Sequence, residues 1–149
     1  MFPNAKGSEA LSVLATIDPI SQGAGTVSTA WISVANFHTF MAVVQTGVMG
    51  ASSTLDAKIQ QAQDGAGTGV KDVATKSIVQ IVKASGDNKQ ALINFKPEDV
   101  DNANNFAFVR LSLTVGVAAS LVAGQLVGVN PRYAASDAYN QAGVVQIIG

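Results

Sequence analysis

Leu111-Ser-Leu-Thr-Val-Gly-Val-Ala-Ala-Ser-Leu-Val-Ala-Gly-Gln-Leu-Val-Gly-Val-Asn-Pro131 lies between Arg110 and Arg132 without one charged side chain. Two folds compete for it. A membrane helix needs about 20 apolar residues, and the stretch is long enough. It also divides into two alternating strands around a Gly-Ala-Ser turn at Gly116–Ser120. Glycines and several hydroxyl or amide side chains lower its hydropathy, and the alternation already begins upstream at Phe106. Where a period is legible it outranks bulk hydropathy. The stretch therefore reads as a strand, a turn and a second strand returning beside the first, and no membrane is implied.

Working outward, Phe106–Val115 places Ala107, Val109, Leu111, Leu113 and Val115 on one side, the better core face. Phe106, Phe108, Arg110, Ser112 and Thr114 share the other. Thr54–Gln61 alternates more strictly. Leu55, Ala57 and Ile59 point one way, while Asp56, Lys58 and Gln60 point the other. Period two means one face in the core and one in water, whereas a helix would scatter the same three apolar residues around its surface. Thr39–Thr46 sets Phe40, Ala42 and Val44 against Met41 and Val43. Trp31–Asn36 and Gln90–Phe95 add further β-prone runs, Lys71–Val82 fits a helix or a strand with its β-branched residues favouring strand, and Pro97 punctuates a polar loop. Seven or eight short strands at regular spacing predict an all-β, antiparallel sandwich of two sheets stacked at about 10 Å.

Residues 1–29 are broken repeatedly by Gly, Ser, Thr and Pro, so they read as an N-terminal arm, or as a short helix at Ser8–Leu14 followed by loops. Residues 133–149 form an Ala-rich C-terminal tail whose last run, Val144–Ile148, suits an edge strand in this chain or on a neighbour. The sandwich domain is thus placed at 30–132, between two extended arms.

The chain has 149 residues, a net charge of −1 and a sequence pI near 5.6, which leaves no electrostatic footprint for nucleic acid. Charged residues make up 13%, against about 25% in ordinary soluble domains. Such a surface is either unusually neutral or partly covered by other subunits, because interface cores are depleted in charge. Cysteine is absent, which removes disulfides, thiolate metal sites and a thiol nucleophile, and fits folding in a reducing cytoplasm. The start, Met1-Phe-Pro-Asn-Ala-Lys6, lacks the basic and apolar regions of a secretory signal.

A search for chemistry yields little. Gly65-Ala-Gly-Thr-Gly-Val-Lys71 suggests a phosphate loop, but Val70 separates the glycine from the lysine and Asp72 would repel phosphate, so it reads as a mobile hairpin tip. His38 is the sole histidine, and no Gly-x-Ser-x-Gly elbow accompanies it. Glu98, Asp99 and Asp101 could offer oxygens to a hard cation, yet their spacing lacks the glycine and glutamate of an EF-hand loop. The expectation is a non-enzymatic protein with no cofactor and no metal. Trp31, Phe106, Phe108 and Arg110 remain as candidate interface residues, since aromatics and arginine anchor protein contacts. An open Trp31 or Tyr133 beside a polar groove would instead suit a carbohydrate-binding module.

Ser53-Thr-Leu-Asp-Ala-Lys-Ile-Gln-Gln-Ala-Gln-Asp64, a Gly-rich tip and Lys71-Asp-Val73 form one hairpin. Ala30–Val34 and Phe40–Thr46 precede it, and Phe106–Arg110, Val115–Ser120 and Leu121–Val129 follow. Across about residues 28–132 this order resembles small β-sandwich structural proteins of tailed bacteriophages and prophages, similar to head decoration, or cement, proteins. The resemblance implies a jelly-roll-like fold, a homotrimer and the major capsid protein as partner. It further implies a place on the capsid surface of the virion after synthesis in the host cytoplasm. A tail-tube or neck component is the alternative within the same class.

Overall fold

Alternation sends Leu55, Ala57, Ile59, Val109, Leu111, Leu113 and Val115 fully inside, as expected from the two clearest strands. The computed structural model describes residues 4–149. Its strands are β1 (Leu11–Gln22), β2 (Gly25–Ser28), β3 (Ile32–Ser33), β4 (Phe37–Thr46), β5 (Thr54–Ala62), β6 (Lys71–Ser77), β7 (Ile81–Val82), β8 (Gln90–Phe95), β9 (Phe108–Gly116) and β10 (Ser120–Pro131).

Setting aside the two-residue strands β3 and β7, the chain pairs first with last. β1 pairs with β10, β2 with β9, β4 with β8 and β5 with β6, all antiparallel. This is one long hairpin folded over on itself. It yields sheet A in the order β1-β10-β4-β8 and sheet B in the order β2-β9-β5-β6. That order is the jelly-roll sandwich, so the expected fold class holds. Between the sheets Phe40 stacks on Phe95 at 5.1 Å, and Phe37 meets Phe40 edge-on at 5.9 Å. No described helix is long and apolar enough to cross a membrane.

The uncharged stretch does form two strands around a turn, but they are not partners. β9 belongs to sheet B and β10 to sheet A. The turn is a corner that carries the chain across the sandwich, so the apolar sides of β9 and β10 face each other through the core. A Cβ added to Gly124 on β10 would come within 2.8 Å of the Leu111 side chain on β9. Ser53 and Ser120, both buried, join hydroxyls at 2.7 Å beneath the corner, and the Ser53 hydroxyl lies 2.9 Å from the carbonyls of Gly116 and Ala118. The polar groups that a corner strips from the ladders are satisfied there.

The N-terminal arm is the main correction. One helical turn, Gly7–Ala10, leads directly into β1, and the pairing with β10 runs from Leu11 opposite Val129 to Gln22 opposite Ser120. Leu14, Ala15 and Ile17 belong to the core. Two register shifts, at Val13/Ala15 and Ile17/Ile20, destroy the period-two signature. Pro19, which reads as a breaker, sits on an edge strand where a missing N–H is tolerated. The sandwich therefore starts at Leu11, not at residue 30.

The C-terminal tail is also docked over its first part. Ser136 is buried, its hydroxyl 2.6 Å from that of Ser12. Tyr139 meets Phe37 edge-on at 5.2 Å, and the Gln141 N–H donates to the Val13 carbonyl at 2.8 Å. Val144–Ile148 forms no strand in the structure. Trp31–Asn36 contributes only β3 before a 3-10 turn at Val34–Asn36, where the Ser33 hydroxyl accepts from the Ala35 N–H.

Candidate interaction surfaces

Four residues singled out from the sequence gather at one end of sheet B. The Arg110 guanidinium lies over the Trp31 ring, 4.5 Å from its centre, and its Nε donates to Gln60 Oε1 at 3.0 Å. Gln60 stands directly opposite Arg110 in the ladder. Phe108 is half-buried nearby, whereas Phe106 precedes β9 and is buried, with the Lys71 ammonium 4.2 Å from its ring centre.

What covers these rings is the Gly-rich tip between β5 and β6. A Cβ at Gly65 would touch Phe108, one at Gly69 would touch Phe106, and one at Gly67 would collide with the Trp31 indole nitrogen at 2.7 Å. Gly67 and Gly69 also have φ of +90° and +70°, a region costly to side chains. Asp64 organises the tip by accepting from the N–H groups of Ala66 and Thr68 and from the Thr68 hydroxyl. The motif that resembled a phosphate loop is an ordered cover for three aromatic rings, rather than a mobile tip. One face of Trp31 is given to Arg110, and part of its edge to the tip.

The acidic loop is tied down by lysines. Asp101 pairs with Lys71, and Asp99 with Lys76 at 3.1 Å. No group of three His, Cys, Asp or Glu side chains is gathered among the described residues. His38 is exposed on β4 and lines a hollow with Glu9 and Asn130.

Lysine–aspartate pairs shape the acid response. Lys83 holds the Asp87 carboxyl below the ordinary value of 3.8, helped by the Met49 N–H at 2.8 Å. Lys58 lowers Asp72 and Lys71 lowers Asp101 in the same way. A carboxyl depressed in the folded state stabilises fully above its unfolded value and loses that contribution as pH falls through the folded one. Thermal unfolding followed against pH is expected to show stability declining once pH drops below about 3.8, and Asp87→Asn is expected to flatten part of that decline.

The surface that sequence reasoning missed is the outer face of sheet A. Its strands contain a single charged residue, Asp18. The strands of sheet B carry Asp56, Lys58, Lys71, Asp72, Lys76 and Arg110. The row of sheet A pointing away from the core runs Val13, Val127, Met41 and Asn94 across the sheet, with Gln125, Val43 and Leu92 in the next row. Leu92 is 58% exposed, Val13, Met41 and Val43 are half-buried, and Val127 is covered by its neighbours on the central strand. A groove of about 680 Å³ opens at the β8 end of this face, with Leu11, Val129, Thr39, Met41 and Asn94 on one side and the charged Lys76, Lys96 and Asp99 on the other. An antiparallel sheet with one solvated face ordinarily alternates apolar-in with polar-out, and sheet A departs from that rule. The signal was present in the sequence: Met41 and Val43 oppose Phe40, Ala42 and Val44 with no charge between them.

No family model matches the chain, and no curated protein matches it either. Among solved structures it is distantly similar to a chain of Triatoma virus, at 7% identity and a TM-score of 0.48, covering 87% of this chain and 68% of that one. It is similar to the SPBc2 prophage-derived protein YomS at 10% identity and TM-score 0.42, covering 79% and 93%. It is also similar to a CBM4 structure at 15% identity and TM-score 0.40, covering 80% and 79%. These likenesses concern the sandwich fold alone, and the jelly-roll order rests on the strand pairing itself.

Proposed function

We propose that this protein is a non-enzymatic virion structural protein that decorates the capsid, binding the major capsid protein and bridging neighbouring capsomers as a homo-oligomer, with a trimer the expected form. The supporting observation is the one-sided charge of the sandwich. Sheet B presents ion pairs to water, while the four strands of sheet A carry one charge, Asp18 on the edge strand β1, and the rest of their outer face is uncharged and largely apolar. Contiguous exposed apolar surface marks an interaction site. A cement protein stabilises a shell by mass action, because burying this face against the assembled state favours that state. The resemblance of the hairpin and corner segments to phage head proteins points the same way, and neither nucleic acid nor membrane is needed as a partner.

The test uses purified shells that lack the protein. Val43→Asp and Leu92→Asp change side chains on the outer face of sheet A, and Lys58→Asp changes the opposite sheet. Each buried aliphatic side chain contributes about 1.5–3 kcal/mol, so either sheet A change is expected to weaken shell binding at least about tenfold. Lys58→Asp is expected to bind as the parent does. Unaltered binding by both sheet A variants would contradict the proposal. Rings or helical tubes formed by the protein alone would favour the tail or neck reading, and glycan binding lost on Trp31→Ala would favour a carbohydrate module.

A further inference from the structure

The edges of the two sheets are not equally protected. An edge strand exposes unpaired N–H and C=O groups, and proteins blunt it with bulges, proline, charge or shortness. β1 has two register shifts, Asp18 and Pro19, and Val13 is engaged by Asn140 and Gln141. β6 has a register shift and carries Lys71, Asp72 and Lys76. β2 is four residues long. Within its own length β8 has none of these guards, and Lys89 and Lys96-Pro97 lie just beyond its two ends. Its six residues, Gln90-Ala-Leu-Ile-Asn-Phe95, pair with β4 in unbroken register and contain no charge and no proline. Among the described residues no strand pairs with its outer side.

The same molecule carries a segment with complementary needs. Beyond Gln141, Val144-Val-Gln-Ile-Ile148 is uncharged and β-prone, with Val145 87%, Ile147 48% and Ile148 88% exposed. It joins no strand ladder. We infer that this segment adds as a fifth strand to sheet A at β8 of a neighbouring copy, linking the copies head to tail. The inference rests on the homo-oligomer part of the proposed function and specifies how the copies join.

Geometry decides between a neighbour's β8 and the chain's own. The tail is anchored on β1, at the opposite edge of sheet A from β8. Three strand spacings of about 4.8 Å separate those edges, roughly 14 Å in all. Crossing that distance from Gln141 at about 3.4 Å per residue uses four or five residues, which leaves only the last two or three of Val144–Ile148 to pair. A neighbour's edge takes the segment with every residue available. Strand addition then supplies main-chain hydrogen bonds, and side chains on alternate faces supply the fit. Because donor and acceptor lie at opposite edges of one sheet, the contact is heterologous, and such contacts close into rings when the rotation permits.

Sedimentation of the full chain and of a chain ending at Gly143 tests this, with circular dichroism confirming that both fold. The full chain is expected to sediment as a closed oligomer and the shortened one at monomer mass. A shortened chain that keeps the full oligomer overturns strand addition while leaving the homo-oligomer standing. A full chain that is itself monomeric overturns both. The chain has no cysteine, so engineered thiols give a second readout. Mixing Leu92→Cys chains with Val145→Cys or Ile147→Cys chains is expected to give a disulfide between β8 and the tail of different molecules in at least one pairing. Finding only 92–92 links would contradict the assignment.

Discussion

Deleting residues 1–25 is expected to leave the chain unfolded, not to trim a dispensable arm. β1 supplies Leu14, Ala15 and Ile17 to the core and pairs along β10 from Ser120 to Val129. Burying a Leu or Ile side chain contributes about 1.5–3 kcal/mol each, and loss of the strand also leaves an apolar edge of β10 in water. Native domains hold only about 5–15 kcal/mol in total, so the removed terms consume most or all of the margin. Loss of Ser12 and Val13 also strands their partners at Ser136, Asn140 and Gln141, which detaches the docked part of the C-terminal segment. The expected result is a truncated chain without a cooperative melting transition and with the far-ultraviolet spectrum of an unfolded polypeptide. A truncated chain that melts like the parent would mean that β1 adds little to the core.

This deletion bears on what the sequence made legible. Strands β4, β5, β8 and β9 can be read from period two because each lies in unbroken register with a neighbour. β1 cannot, because its two register shifts put Val13, Leu14 and Ala15 in a row that matches no period. The pairing of β10 is also hidden. A short turn between alternating strands ordinarily makes a hairpin, and only the fold as a whole shows that the Gly116–Ser120 turn is a corner between sheets. The jelly roll pairs first strand with last, so its defining contacts are those most distant in sequence. Local pattern carries little trace of them.

The candidate sites divide in the same way. Residue type brought Trp31, Phe106, Phe108 and Arg110 forward as candidate interface residues, and the structure places them together at one end of sheet B. It gave no hint that the glycines of the β5–β6 tip are spaced to lie on those rings. The outer face of sheet A was visible only as something missing. Thr39–Thr46, Gln90–Phe95 and Leu121–Val129 each alternate apolar with apolar or uncharged residues, and their adjacency in one sheet turns three weak signals into one surface.

Leu111→Asp and Lys58→Asp separate the two faces of sheet B by a large difference in stability. Leu111 is fully buried on β9, opposite Ile59, and packs toward the backbone of Gly124 in the other sheet. Truncating such a leucine alone costs about 2–5 kcal/mol, and a carboxylate without a partner in that site adds a desolvation penalty of comparable size or more. The sum reaches the whole stability of an ordinary domain, so the variant is expected to be unfolded at neutral pH. Lys58 stands on the opposite side of the neighbouring strand, with its side chain 39% exposed and paired to Asp72 at 2.8 Å. Surface pairs contribute about 0–1 kcal/mol, and placing Asp beside Asp72 adds a repulsion of similar size. For a domain of this length that lowers the melting temperature by about 2–4 °C per kcal/mol, and the variant stays folded. The contrast depends on register alone. Sliding β5 or β9 by one residue would move every wet side chain to the dry face, so equal melting behaviour of the two variants would mean that this pairing is misplaced.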